Sequence, residues 1–427
     1  MDSRRSRGES GGWQGWPVPT RPLDRRDTDP QVERARQAVA AVFALNGLGL
    51  ATWLSRTPAV RDTLDLSASG LGLLLVCLSI GAVLGLPSSG PVVHRIGPRR
   101  AVLGGAGLVS LGLVGLAAGL ATELVALAAA SLLLIGLGTS SWDVAMNVEG
   151  AEVERRLART LMPRLHAGFS LGTVAGALFG AGCAATGVGA PAQLLVSAGM
   201  IAMGVLLACP ALLRVDDPEP GTAGSVRSGA LGAWRERRTL LVGLLVLGFA
   251  FTEGTANDWL AIALVDGHDS SEAVGALGFG AFLAAMTLCR MVGGSALERF
   301  GRVLVLRATA ALAVVGLLLV VAGPNAGVAA AGAMVWGVGA ALGFPVGMSA
   351  AADQPDRSAA RVSVVASIGY TAFLAGPPLV GFVADQIGVR PALLVLLVPL
   401  GLAVTAAGAT RTPPKAESDV STSAPTL

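Results

Sequence analysis

Twelve apolar stretches run through the sequence, most of them about 20 residues long, which is the length that an α-helix needs to cross the hydrocarbon core of a bilayer. Only 14% of the residues are charged, against about 25% in an average soluble domain. The stretches lie near residues 37–57, 69–93, 101–121, 124–148, 164–186, 192–213, 239–262, 273–294, 303–322, 326–348, 362–384 and 391–410. The pattern predicts an all-α membrane protein with twelve transmembrane helices.

A short basic signature occurs twice, after the second apolar stretch and again after the eighth. The first copy contains Gly90, His94, Arg95, Gly97 and Arg99, and the second contains Gly294, Glu298, Arg299, Gly301 and Arg302. Because the two copies hold corresponding places, the chain is expected to contain an internal duplication. We therefore predict two pseudo-symmetric six-helix bundles, each with a turn between its second and third helices that acts as part of a cytosolic gate.

Polar segments set the predicted domain boundaries. Residues 1–33 lack an apolar period and are expected to form a disordered cytosolic tail, and 412–427 a second tail. The bundles are predicted at 34–214 and 239–411, with a cytosolic linker at 215–238. Most arginines between the apolar stretches fall on the side that carries both termini, which indicates cytosolic termini in a multi-pass protein of the plasma or inner membrane.

Several function classes do not fit this composition. The four cysteines have neither metal-ligand spacing nor a secreted disulfide pattern, and a net charge of +3 is too small for a nucleic-acid surface. No Gly-x-x-x-x-Gly-Lys phosphate loop is present. We therefore expect no enzyme activity, no cofactor, no metal and no nucleic-acid partner.

The twelve stretches in two halves, together with the repeated basic turn, resemble the major facilitator superfamily. The resemblance implies a secondary active transporter whose bundles rock around a central site. His94 stands where the family usually has an acid, whereas Glu298 keeps that acid in the second copy. The segments 53–61, 142–147 and 253–259 look like the branch of the fucose–proton symporters and its uncharacterised relatives. That branch implies an acid in helix one, where this chain has Asn46, and an acid in helix four, which Asp143 supplies.

Two acids inside apolar stretches are the candidates for proton coupling, Asp143 and Glu253. An ionisable residue at the centre of a span costs about 2.5–3.5 kcal/mol on insertion scales, so each needs a reason to be there. Glu253 is the deepest acid of the C-terminal half and the expected substitute for the acid missing from helix one. The alternatives are structural: Asp143 can make an interhelical hydrogen bond, and Glu253 can pair with an arginine across the bundle.

Polar and aromatic residues near these acids are the candidates for substrate binding. Asn147 follows Asp143 by four residues and shares its helix face. The full set is Asn46, Asn147, Asn257, Trp142, Trp259 and Tyr370. Hydrogen bonds between helices are an equally good explanation for the amides.

The predicted function is proton-coupled uptake of a small polar solute, such as a sugar or a related metabolite, by a monomer in the lipid bilayer. The alternative is a proton-driven exporter of hydrophobic compounds, although helix five lacks the Gly-Pro motif that such exporters of the superfamily usually show. A remote alternative is a membrane sensor that binds a ligand without transporting it.

Overall fold

The computed structural model describes residues 30–157, 161–213, 232–353 and 357–411. These ranges contain twelve helices long and apolar enough to span a bilayer, and no strand. The predicted all-α fold class is confirmed. Most of the predicted tails and linker falls on 1–29, 214–231 and 412–427, outside the described residues.

We number the twelve spans α1 (Pro30–Leu54), α2 (Ala68–Ile96), α3 (Pro98–Ala121), α4 (Val125–Leu157), α5 (Met162–Ala185), α6 (Ala190–Ala211), α7 (Arg237–Val265), α8 (Glu272–Phe300), α9 (Arg302–Ala322), α10 (Ala326–Ala351), α11 (Ala360–Ile387) and α12 (Val389–Thr410).

The repeated signature forms the same tight turn in both halves. Gly97 separates α2 from α3 with φ +80°, and Gly301 separates α8 from α9 with φ +76°. This left-handed backbone is strained for residues that carry a Cβ, so glycine is the residue that allows the helix to stop and the next one to begin at once. The sequence prediction of two matching turns is confirmed by these dihedral angles.

Helix α4 extends to Leu157, well past the apolar stretch that predicted it. Its extension is stabilised by Glu152, which accepts hydrogen bonds from Arg155 at 2.9 and 2.7 Å and from Arg156 at 2.7 Å. Acid–base pairs three and four residues apart stabilise a helix surface in water. Hydropathy therefore marks where the bilayer ends and not where the helix ends.

The helices pack through glycines that let backbones approach closely. Gly136 of α4 lies against the carbonyl of Leu78 on α2, and Gly172 of α5 lies against the carbonyl of Ala44 on α1. Small residues at such contacts are the usual means of association inside a bilayer, where apolar burial between helices gains little. Four helices, α1, α4, α7 and α10, each carry one fully buried tryptophan, at Trp53, Trp142, Trp259 and Trp336.

Two bundles result, α1–α6 and α7–α12, and they meet through two helix pairs. Helix α2 packs against α11, and α5 packs against α8. The short helix Thr57–Thr63, between α1 and α2, also contacts α7. We call the end of the molecule that carries Pro30 and Arg411 the terminal face, and the opposite end the distal face.

Candidate functional site

Asp143 lies near the middle of α4, about 27 Å along the helix from Val125 at 1.5 Å per residue. The side-chain amide of Asn147 donates to the main-chain oxygen of Asp143 at 2.8 Å and to its carboxylate at 3.3 Å. His166, on α5, interacts with the carboxylate electrostatically. Asp143 and Asn147 therefore present a carboxylate and an amide on one helix face, as their spacing predicts.

Tyr370 belongs to the other bundle, yet its phenol is within electrostatic range of Asp143. The ring lies 6.3 Å from that of Phe373 on the same helix, α11, and both rings are partly exposed. Asp143 and Tyr370 come from distant parts of the sequence and from separate bundles. The two residues therefore lie within electrostatic range of each other across the bundles, although no hydrogen bond joins them among the described residues.

Glu253 forms an ion pair with Arg290 of α8, at 2.8 Å between carboxylate and guanidinium. Arg290 also donates from Nε to the carbonyl of Ala341 at 3.0 Å, where α10 is interrupted between its segments Ala326–Ala340 and Gly343–Ala351. The side chain of Glu253 is 19% exposed and that of Arg290 34%. The Glu253 carboxylate is paired with a positive charge and is partly exposed. This arrangement suits either a structural ion pair or a carboxylate that can take up a proton.

Three of the predicted binding residues lie inside the helix packing. Asn46 is 2% exposed and donates to the sulfur of Met146 at 3.6 Å, and Trp142 and Trp259 are 0% exposed. They line no opening in this conformation, so we leave them out of the proposed site. Asn257 is partly exposed and follows Glu253 by four residues, on the same face of α7.

The distal face contains a contact that the sequence analysis did not predict. The carboxylate of Asp385, near the end of α11, accepts hydrogen bonds from the backbone N–H groups of Ala68 at 2.9 Å and Ser69 at 3.2 Å. Those N–H groups lie at the first turn of α2, where a negative charge is favourable. The signal was present in the sequence, because Gly381, Asp385, Gly388 and Arg390 repeat the spacing of Gly90, His94, Gly97 and Arg99.

Two ion pairs also join the two bundles at the distal face. Arg61, in the short helix Thr57–Thr63, binds both carboxylate oxygens of Asp266, just after α7. The hydrogen bonds to Asp266 raise the pKa of Arg61 above its ordinary value, so this arginine stays charged. Arg56 is 4% exposed and pairs with Glu272 of α8 at 3.1 Å. Together with Asp385, these pairs fasten the N-terminal bundle to the C-terminal one.

The terminal face has a different set of contacts. Arg302 of the second signature donates to both oxygens of Asp353 at 2.8 Å, and Arg238 donates to the same carboxylate at 2.8 Å. All three residues belong to the C-terminal bundle. His94 and Glu298 are exposed. Within the described residues, the hydrogen bonds and ion pairs that cross between the bundles lie in the distal half.

Known proteins match this sequence over nearly the whole chain. The family model described as Major Facilitator Superfamily matches residues 38–269 and 255–426. An uncharacterized transporter of Sinorhizobium fredii is 34% identical over 377 residues, a match that covers 85% of this chain and 97% of that protein.

Two solved structures share the fold. A mutant of the nucleoside transporter NupG superposes with a TM-score of 0.73 at 16% identity, covering 89% of this chain and 98% of the other. A mutant of the fucose:proton symporter FucP of E. coli gives 0.61 at 15% identity, covering 88% and 98%. At these identities the likeness concerns the fold, and it does not single out the fucose branch. With the family model and the relative in agreement, the chain belongs to the major facilitator superfamily.

Proposed function

We propose that this transporter takes up a small polar solute together with protons, by alternating access between the two bundles. The observation that carries the proposal is the position of Asp143 near the middle of α4, where His166 of its own bundle and Tyr370 of the other lie within electrostatic range. A carboxylate at the junction of two moving bodies can change its charge and its partners in the same step. That is the requirement for coupling proton binding to a conformational change.

The terminal face is assigned to the cytosol in this proposal. Exposed arginines concentrate there, on the loops and helix ends at Arg95, Arg100, Arg155, Arg156, Arg164 and Arg299. An excess of arginine is typical of cytosolic loops in membrane proteins. With this orientation the polar bridges of Asp385, Arg61 and Arg56 close the outer side, and the conformation is the inward-facing one.

The solute site is assigned to the space between the Asp143 group and the Glu253–Arg290 pair. Asn147, Asn257 and Tyr370 supply amide and hydroxyl groups that can donate to and accept from a polar, uncharged solute. Two carboxylates and one guanidinium leave this space with an excess of negative charge, which disfavours anions. The descriptions of the solved neighbours as a nucleoside transporter and a fucose:proton symporter support a neutral polar solute.

Asp143 and Glu253 have separate roles in the proposed cycle. Asp143 is the group that binds and releases the transported proton, because Tyr370 of the other bundle lies within electrostatic range of it. Glu253 is held by Arg290, so protonation of Glu253 would free a guanidinium inside the site. Loss of this pair is expected to weaken solute binding as well as coupling.

The test uses purified protein in liposomes that contain a pH-sensitive dye, with nucleosides and neutral sugars supplied as outward-to-inward gradients. Wild type is expected to acidify the lumen when one of these solutes enters. Asp143→Asn should lose the proton flux and keep solute exchange, whereas Asp269→Asn, an exposed distal acid, should behave as wild type. Full proton flux in Asp143→Asn would exclude Asp143 as the coupling acid, and Glu253→Gln tests the second candidate in the same assay.

Export of hydrophobic cations is the second candidate, and Asp258 favours it. This α7 carboxylate has no hydrogen bond or ion pair within the described part of the chain, and two apolar residues, Trp259 and Leu260, follow it. An unpaired intramembrane carboxylate attracts cations. Accumulation of a lipophilic dye cation in cells that overexpress the protein would distinguish the two. A decrease in accumulation that is lost in Asp258→Asn supports export. Unchanged accumulation supports uptake.

A further inference from the structure

Helix α9 has an exposed apolar stripe with one charged residue near its terminal end. The stripe consists of side chains three or four residues apart, Leu304, Ala308, Ala311, Val315 and Leu318. Such a stripe on a transmembrane helix faces lipid, because α9 packs on its other sides against α10 and α12. Arg307 is exposed one turn after Leu304, on the same side of the helix, and lies about 7.5 Å from the helix start at Arg302.

A cavity of about 580 Å³ opens beside Arg307 at the terminal face. It is lined by Phe300 and Leu304, both more than half exposed, and by three arginines, Arg302, Arg307 and Arg411. Arg302 is already bonded to Asp353. Arg307 and Arg411 have no hydrogen bond or ion pair from their side chains among the residues that the structure describes, so two guanidinium groups that line this cavity are available to a ligand.

We propose that this cavity binds the phosphate headgroup of an anionic phospholipid, with Arg307 and Arg411 holding the phosphate and an acyl chain lying along the stripe of α9. With the orientation proposed above, the cavity lies on the cytosolic side, where basic pockets between helices are suited to anionic headgroups. The mixed lining fits an amphipathic ligand, since the polar groups lie at the terminal face and the apolar side chains continue towards the bilayer centre.

The position of the cavity connects it to the contacts that hold the C-terminal bundle at this face. Arg238, at the start of α7, donates to the carbonyls of Ala409 and Arg411 at 3.1 and 3.2 Å as well as to Asp353. A headgroup on Arg411 therefore sits beside a network that joins α7, α9, α10 and the end of α12. Binding should stabilise the folded bundle, independently of which solute the transporter carries.

Native mass spectrometry and thermal unfolding of the full-length protein test the proposal. In neutral detergent, added phosphatidylglycerol is expected to raise Tm and to leave one retained lipid per protein, whereas phosphatidylcholine does neither. Arg307→Gln with Arg411→Gln should abolish the retained lipid and most of the Tm increase. The control pair Arg100→Gln with Arg164→Gln removes the same charge from exposed arginines of the N-terminal bundle and should keep both effects.

Three results would overturn the proposal. Retention of phosphatidylglycerol by the Arg307/Arg411 double variant would show that the lipid binds elsewhere. Equal loss in both double variants would show attraction by net charge alone. A Tm increase with inorganic phosphate equal to that with phosphatidylglycerol would identify a soluble-phosphate site. Because neither side chain makes a described contact, both variants are expected to unfold at the wild-type Tm in phosphatidylcholine, which separates lipid loss from misfolding.

Discussion

Asp385 accepts a hydrogen bond at 2.9 Å from the backbone N–H of Ala68, so the end of α11 in one bundle caps the start of α2 in the other. Ser69 donates to the second oxygen of the same carboxylate at 3.2 Å. A carboxylate at a helix N-terminus is stabilised by both the free N–H groups and the helix dipole. Under the alternating access proposed above, this contact between the bundles belongs to the distally closed conformation.

Substitution Asp385→Ala is expected to shift the population away from the distally closed conformation. Loss of an exposed, charge-assisted contact should cost about 1 kcal/mol, or about a fivefold change in the ratio of the two conformations. Spin labels on cysteines at Thr63 and Gln386, both exposed, would report the change as a larger fraction of long distances across the distal face. The four native cysteines are replaced for this measurement.

Asp269→Asn serves as the matched control, because Asp269 is exposed on the same face and makes no described contact with the other bundle. An unchanged distance distribution in Asp385→Ala, or the same shift in both variants, would show that the Asp385 cap does not hold the distal face closed.

A pH dependence is expected from Glu236, which precedes α7. Its carboxylate accepts hydrogen bonds from Arg361 at 2.5 Å and from Thr239 at 2.9 Å, and the bond from Arg361 is the main cause of a lowered pKa. A lowered pKa in the folded state stabilises the protein above the ordinary glutamate value of about 4.3, and this stabilisation is lost as the pH falls through the folded value.

Tm measured against pH for wild type and Glu236→Gln checks this. The variant should have the lower Tm at pH 7, and the difference should shrink as the pH falls below about 4.3 and vanish below the folded-state pKa, where the wild-type carboxylate is protonated too. Glu298→Gln removes an exposed carboxylate that has no described partner and should show no such difference. A Glu236→Gln difference that stays constant across the pH range would contradict the ionic explanation.

Glu149 is expected to act through one hydrogen bond and not through its charge. Its side chain is 0% exposed, and Oε1 accepts from the backbone N–H of Leu213 at 2.5 Å, while Oε2 has no partner. Glu149→Gln keeps an acceptor of the same shape and should leave Tm within 1–2 °C, a change on the order of a few tenths of a kcal/mol. Glu149→Leu leaves the N–H of Leu213 buried without a partner, which costs about 1–3 kcal/mol. Equal losses in both variants would show that the charge matters.

The helix count and the turns could be predicted because they depend on local sequence. Twenty apolar residues in a row must form a spanning helix, and a glycine after an apolar run ends one, as Gly97 and Gly301 do. The rotation of each helix could not be predicted in the same way. These helices are apolar on every side, so the sequence does not show that Asn46 and Trp142 are buried in the packing while Asp143, next to Trp142, is partly exposed.

The distal contacts could not be predicted because they join residues that are far apart in sequence. Arg61 and Asp266 lie in different halves of the chain, and neither residue alone indicates a partner. Asp385 was recognisable in principle, since it occupies the acidic place of a third copy of the repeated signature. The spacing was present, but the copy lies on the opposite face from the first two and lacks their paired arginines.

Close helix packing gives a prediction with an internal control. A Cβ at Gly136 would overlap the carbonyl of Leu78 on α2, so Gly136→Ala must push α2 and α4 apart. Forcing extra volume into a packed interface typically costs about 1–3 kcal/mol, and Tm should fall accordingly. At Gly107 of α3 a Cβ would meet nothing within 4 Å, and an alanine there should be neutral or stabilising by up to about 1 kcal/mol, because alanine favours the helix. If Gly136→Ala unfolded at the same temperature as Gly107→Ala, the close approach of α2 to α4 would not exist in the membrane protein.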